Sequence, residues 1–161
     1  MDLATLQERL QGAHEGLQLV DNRGMMECEI PAEKNLAIVS YLYKELGFQF
    51  LTDITAVHYP EEQGRELCVV THVHNLVDNV RLRLKAYVPV AQPDIHSLTP
   101  VFSGANWMER ETYDFFGVNF VGHPDLRRIL NVDEMDYFPM RKEYQMEDPT
   151  RLDKDDAMFG R

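Results

Sequence analysis

Cysteine is scarce: the 161 residues hold only Cys28 and Cys68. They stand far apart with no C-x-x-C spacing, which fits two reduced, packed thiols rather than a disulfide or a metal-cluster site. Long apolar runs are missing too. No stretch approaches the ~20 apolar residues of a membrane-spanning helix, and Met1-Asp2-Leu3-Ala4 lacks the basic-then-apolar layout of a signal peptide. The expected location is therefore the cytoplasm. Positive charge is in deficit: 16 Lys and Arg face 27 Asp and Glu, a formal net charge of −11. That disfavours nucleic acid and anionic lipid as partners, since both require basic patches, and points to protein instead. There is no G-x-G-x-x-G after a strand, no G-x-x-x-x-G-K-[ST] loop and no cysteine cluster, so nucleotide, flavin and iron–sulfur sites lack a sequence basis.

What is there suits one core plus an appendage, with 44% apolar and 27% charged residues. Leu3, Leu6, Leu10 and Ala13 have helical spacing, with Gly12 or Gly16 as the stop. Leu17–Asp21 and Met25–Ile30 flank Asn22-Arg23-Gly24, hairpin chemistry. Pro31 opens a second helix with an apolar stripe of Leu36, Val39, Leu42, Tyr43 and Leu46, ended by Gly47. Three strands, 48–59, 65–75 and 80–88, then form an antiparallel meander. In the last, Val80, Leu82, Leu84, Ala86 and Val88 alternate with Arg81, Arg83, Lys85 and Tyr87, so one face meets the helices. The basic stripe opposite is either a solvated sheet face or a docking face. The fold class expected is α+β: a two-layer domain with an antiparallel-rich sheet and helices on one face over residues 1–90. Residues 91–144 are read as a linker (89–105) and a docking segment, and 145–161 as an extended acidic tail whose spaced apolar anchors suit a partner surface.

His72 and His74 share a strand face at a spacing that metal sites use, but no further ligands accompany them, so ordinary sheet histidines are expected. The densest chemistry lies downstream. Trp107-Met-Glu-Arg-Glu-Thr-Tyr-Asp-Phe-Phe-Gly117 predicts a short helix over 107–116, with Asn106 as N-cap, Glu109 as its capping-box partner and Gly117 as the C-terminal stop. On it Arg110 and Asp114, four apart, are expected to pair. Gly122-His-Pro-Asp125 is turn chemistry after a short strand over 118–121, and Arg127 and Arg128 follow at once. These arginines and the carboxylates of Glu109, Glu111, Asp114 and Asp125 are expected to pair with one another or with a partner, since burying them unpaired is expensive. Glu109, Glu111 and Asp114 could supply an acid/base pair for hydrolysis, but no nucleophile–base arrangement accompanies them. His123 is either a hydrogen-bonding turn residue or a gate for a proton or quinone.

Glu109-Arg-Glu-Thr-Tyr-Asp-Phe-Phe-Gly117, His123-Pro-Asp-Leu-Arg-Arg-Ile-Leu130 and Pro139-Met-Arg-Lys-Glu-Tyr144 together resemble the 30 kDa subunit family of the proton-translocating NADH:quinone oxidoreductase, respiratory complex I. These motifs lie within a stretch of about a quarter of the chain. Against the family's usual pattern this sequence has Tyr137-Phe138-Pro139-Met140, Glu143 for Asp, and Gln145 where Pro is common. The resemblance implies a non-catalytic subunit of the peripheral arm, on the cytoplasmic side of the cell membrane. It would dock on the quinone-site subunit and neighbouring iron–sulfur subunits and support NADH-to-quinone electron transfer coupled to proton translocation. FMN, iron–sulfur clusters and quinone would belong to partner subunits, with no cofactor on this chain. Glu109, Arg110, Glu111, Asp114, His123, Arg127, Arg128, Arg141 and Lys142 are the expected interface and structural residues. The alternatives are the equivalent subunit of a related complex fed by ferredoxin, coenzyme F420 or a hydrogenase site, and a free-standing small-ligand domain.

Overall fold

A computed structural model describes residues 3–144. The expected acidic tail, 145–161, lies outside the described residues.

Helix α1 (Leu3–Ala13) is followed by strands β1 (Leu19–Asn22) and β2 (Met25–Ile30). Pairing of Asn22 with Met25 leaves a two-residue turn, and Arg23 and Gly24 both take positive φ, 56° and 83°. That twist suits a tight hairpin, and Asp21 Oδ1 secures it by accepting from Gly24 N–H at 2.7 Å. After Pro31 comes a 3₁₀ turn (Ala32–Lys34) before α2 (Asn35–Leu46), which Gly47 ends at φ 73°. Buried Ile38 joins Val39, Leu42 and Leu46 on its inner face, whereas Leu36 and Tyr43 are only half-buried. Leu6 and Leu10 of α1 pack in the same core, and Ala13 is exposed.

Strands β3 (Phe50–His58), β4 (Leu67–Asn75) and β5 (Val80–Val88) form the expected antiparallel meander. The sheet order is β1-β2-β5-β4-β3, and β2 runs parallel to β5 at its centre. Val80, Leu82, Leu84, Ala86 and Val88 all point into the core. Two of the three cations that alternate on β5 are paired: Glu27 on β2 takes Lys85 at 2.9 Å and Arg83 at 3.4 Å, while Arg81 is exposed. Arg83 Nε also donates to His72 Nε2 at 2.9 Å, which ties up the ring nitrogen that a metal would use. Burial and the adjacent Arg83 charge hold the His72 pKa below its usual value. His74 Nε2 contacts Asn79 Oδ1, and among the described residues no group of three or more metal-ligating side chains forms. Cys28 and Cys68 are free and buried. Burial pushes both thiols up to about 11, far from the reactive thiolate range.

The stretch 89–105, expected as a linker, is packed structure. It contains β6 (Asp94–His96), which pairs in parallel with β7 (Asn119–Val121), and it buries Ile95, Ser97, Leu98 and Phe102. A three-residue strand has no alternation to read, and Pro93 and Pro100 mask it in sequence. Helix α3 (Ala105–Phe116) then packs along the edge strand β3, where Thr112 Oγ1 donates to Ile54 O at 3.1 Å.

Candidate functional site

An α-helix leaves its last four carbonyls without helical partners, and their dipoles favour positive charge. At the end of α3 all four are met. Gly117, at φ 75°, donates its N–H back to Tyr113 O. Arg128 Nη1 donates to Asp114 O at 2.9 Å, Met140 N to Phe115 O at 3.1 Å, and Arg141 Nε to Phe116 O at 2.7 Å. The two later signature motifs thus fold back as a clasp on the helix that carries the first.

Asp114 is the clasp's centre and is fully buried. Its Oδ2 accepts three successive backbone N–H groups, from Ile129, Leu130 and Asn131, at 2.8–3.1 Å. Its Oδ1 accepts from Arg128 Nη1 at 2.7 Å and Asn131 Nδ2 at 3.0 Å. Burial pushes the carboxyl pKa up, but these donors outweigh it and hold the group well below the usual carboxylate range. The Arg128 side chain is 8% exposed, and its Nη2 reaches on to Met135 O and Tyr137 O. Arg110 does not pair with Asp114 as its spacing suggested. Its Nε and Nη2 donate to the carbonyls of Arg127 and Arg128, fixing the same loop from another side. Helical i,i+4 geometry permitted the pair, but Arg128 and the loop amides occupy the carboxylate.

The expected capping box is also absent. Asn106 lies inside α3, whose N-cap is Gly104 with no side-chain cap bond. Glu109 points inward and meets no arginine: Oε2 accepts from Ser97 Oγ and Oε1 from Leu98 N–H, both at 2.6 Å. It is fully buried, and burial raises its pKa to about 7 despite those two donors. A folded-state pKa above the unfolded value means that the fold binds this proton more tightly. Its stabilising effect is complete below about pH 4.5 and fades as pH rises toward 7, by about 3 kcal/mol in total. Glu109→Gln should remove this slope. Urea unfolding at pH 5, 6 and 7.5 should show the wild type losing stability relative to the variant; parallel profiles would refute the assignment.

Three residues face solvent. Glu111 and Lys142 are exposed, although the Lys142 backbone N–H donates to His58 Nδ1 at 3.0 Å and so anchors the clasp to the end of β3. The Arg127 side chain is 68% exposed and pairs with Asp125 at 3.0 Å. His123 is a turn fixture: Nδ1 accepts from Asp125 N–H, and the opposite nitrogen, Nε2, lies 3.1 Å from Asn106 O as donor. Glu109, buried, and Glu111, exposed, do not form an acid/base pair.

Several large apolar side chains are also turned outward among the exposed charges, a feature the sequence reading missed. Trp107 is 61% exposed, Leu130 66% and Val132 63%, and Met140, Tyr137 and Tyr144 add to them. Residues 129–132 alternate a half-buried with an exposed side chain while Asp114 accepts the backbone N–H groups of 129–131, a long-range hold that no local pattern announces.

Known proteins resemble the chain in sequence and in overall fold. The family model described as the 30 kDa subunit of the respiratory-chain NADH dehydrogenase matches residues 28–150. The C-type subunit of the NADH-quinone oxidoreductase of Geobacter sulfurreducens is 40% identical over 135 residues, covering 84% of this chain and 83% of that protein. Its counterpart in a Nocardioides species is 41% identical over 131 residues, 80% of this chain; the match spans about half, 52%, of that longer protein. A solved trypsin-resistant fragment of Nqo5 superposes with a TM-score of 0.68 at 32% identity, covering 78% of this chain and all of the fragment. The chain belongs to the 30 kDa subunit family of the respiratory-chain NADH dehydrogenase, also called NADH-quinone oxidoreductase.

Proposed function

We propose that the chain is a non-catalytic subunit of the peripheral arm of an NADH:quinone oxidoreductase. In this reading it docks on the quinone-site subunit and neighbouring iron–sulfur subunits at the cytoplasmic side of the membrane, and FMN, clusters and quinone reside in those partners. The observation that carries it is the clasp. The buried charges of the signature are spent on fixing residues 122–144, and the fixed loop presents Leu130 and Val132 outward while α3 presents Trp107. Exposed aromatic and aliphatic side chains on a rigid support are what a protein interface needs. Arg110, Asp114, Arg128 and Arg141 position the surface, Glu109 and His123 brace the helix beneath it, and Glu111, Arg127 and Lys142 form a polar rim. The chain's contribution is geometric, holding partners at the fixed distances on which electron transfer depends. The relatives' names carry NADH as donor, which favours this assembly over those fed by ferredoxin, F420 or a hydrogenase site.

Tagged purification of the full chain from native membranes in mild detergent should recover a quinone-site subunit, iron–sulfur subunits and a flavin subunit, with NADH-to-quinone activity. Leu130→Asp with Val132→Asp should leave the melting temperature nearly unchanged, because both side chains are exposed, and abolish that recovery. Unchanged recovery in the double variant would remove Leu130 and Val132 from the interface; a wild-type chain recovered alone would sink the whole reading.

A further inference from the structure

Away from the clasp, two cavities of about 600 Å³ and 380 Å³ share Ala32, Glu33 and Tyr87, and so form one groove. The first lies where β1, pairing only as far as Cys28, leaves one backbone edge of Glu29 and Ile30 at the end of β2 without a strand partner. The second continues beside Val88 and Ile95 toward Val121 of β7. Its floor is apolar, from buried Leu17, Ile30, Val88 and Ile95. Its rim is acidic: Glu15 and Glu33 are exposed, and Asp94 adds a third carboxylate. Glu29 is also on the rim, but Arg65 engages it at 3.0 Å while lying 3.9 Å from the centre of the Tyr87 ring. That guanidinium is therefore already partnered, and the rim's excess charge remains negative.

We infer that this groove is a docking site for an extended, basic segment of another subunit of the assembly. The inference rests on the assembly reading above and adds a second contact on a different face. The groove offers exposed Pro31 and Val121 to the small apolar side chains of a strand-like segment, with its Lys or Arg toward Glu15 and Glu33. Charge selects among occupants. A second copy of a chain with net charge −11 is repelled, and this chain's own residues 145–161 carry five Asp and Glu against three Lys and Arg. A basic partner segment gains opposite-charge contacts at the rim in addition to apolar burial.

The test places a photo-crosslinking benzoylphenylalanine at Gln18 or Gln92, one beside each cavity, in the full chain within the purified complex. The expected result is a cross-link from both positions to one Lys- or Arg-bearing segment of another subunit. Its yield should fall several-fold in Glu15→Lys with Glu33→Lys, whose melting temperature should match the wild type. Cross-links to this chain's own residues, to a second copy or to a segment without basic residues would overturn the proposal, as would an undiminished yield in the double variant. Absence of any cross-link in an active, co-purified complex would overturn the groove and leave the assembly reading standing. A wild-type chain that does not co-purify would overturn both.

Discussion

Asp114→Ala is expected to destabilise the chain by about 3–5 kcal/mol, because it leaves the Arg128 guanidinium buried without its counter-charge. The melting temperature should drop by on the order of 10 °C, and residues 122–144 should become accessible to protease at temperatures where the sheet still holds. The loss has two parts. Three consecutive backbone N–H groups lose their acceptor, and Arg128 keeps only carbonyl partners. Acid should have the same effect as the substitution. A carboxyl held below its unfolded pKa stabilises at higher pH, and that stabilisation is lost as pH falls below about 4 and through the depressed folded value. Arg128→Glu should match Asp114→Ala in severity, since it sets two carboxylates together in the clasp. Arg127→Glu should change stability by only about 1 kcal/mol or less, because its pair with Asp125 is exposed. Thermal and urea unfolding of the three variants decide the matter: Asp114→Ala within about 1 kcal/mol of wild type would mean that the clasp does not hold the loop.

Gly117→Ala should be the other severe substitution. At φ 75° an L side chain already carries strain of about 1–3 kcal/mol. An added Cβ would also stand 2.5 Å from the Phe138 ring and 2.6 Å from Arg141 Nη2. The ring centre is 5.1 Å and 4.6 Å from the guanidinium carbons of Arg128 and Arg141, so moving the ring disturbs both contacts. Overpacking adds about 1–3 kcal/mol more. Gly122→Ala is the matched control, with φ 87° and nothing within 4 Å of the new Cβ, so it should show the strain alone. If the two variants melt together, the close approach of Phe138 and Arg141 contributes nothing measurable.

The parts of the fold legible in sequence were those written locally. The strict alternation over 80–88 announced β5 and its buried face, and glycines at 47 and 117 marked two helix ends by the left-handed backbone they adopt. The site was legible in composition but not in wiring. The signature showed that charges had to be matched, yet the spacing offered Arg110 as partner for Asp114, and the side chain that takes it, Arg128, lies 14 residues away. Side-chain bonds to backbone groups carry no periodicity, so nothing in the one-dimensional pattern distinguishes an arginine that fixes a loop from one that meets a partner. Glu109 was misread for a related reason. A carboxylate three residues after Asn106 looks like a cap, and only the packing of residues 97–99 against α3 reveals its true donors.

The parallel pairing of β2 with β5 imposes an order on the birth of the fold. Residues 25–30 emerge from the ribosome long before residues 80–88, yet the hairpin they belong to has no inner neighbour until β5 exists. An isolated two-stranded hairpin is marginal in water. The N-terminal strands must therefore wait, apolar side exposed, while α2, β3 and β4 are made, and the sheet closes only when its central strand is inserted between its two halves.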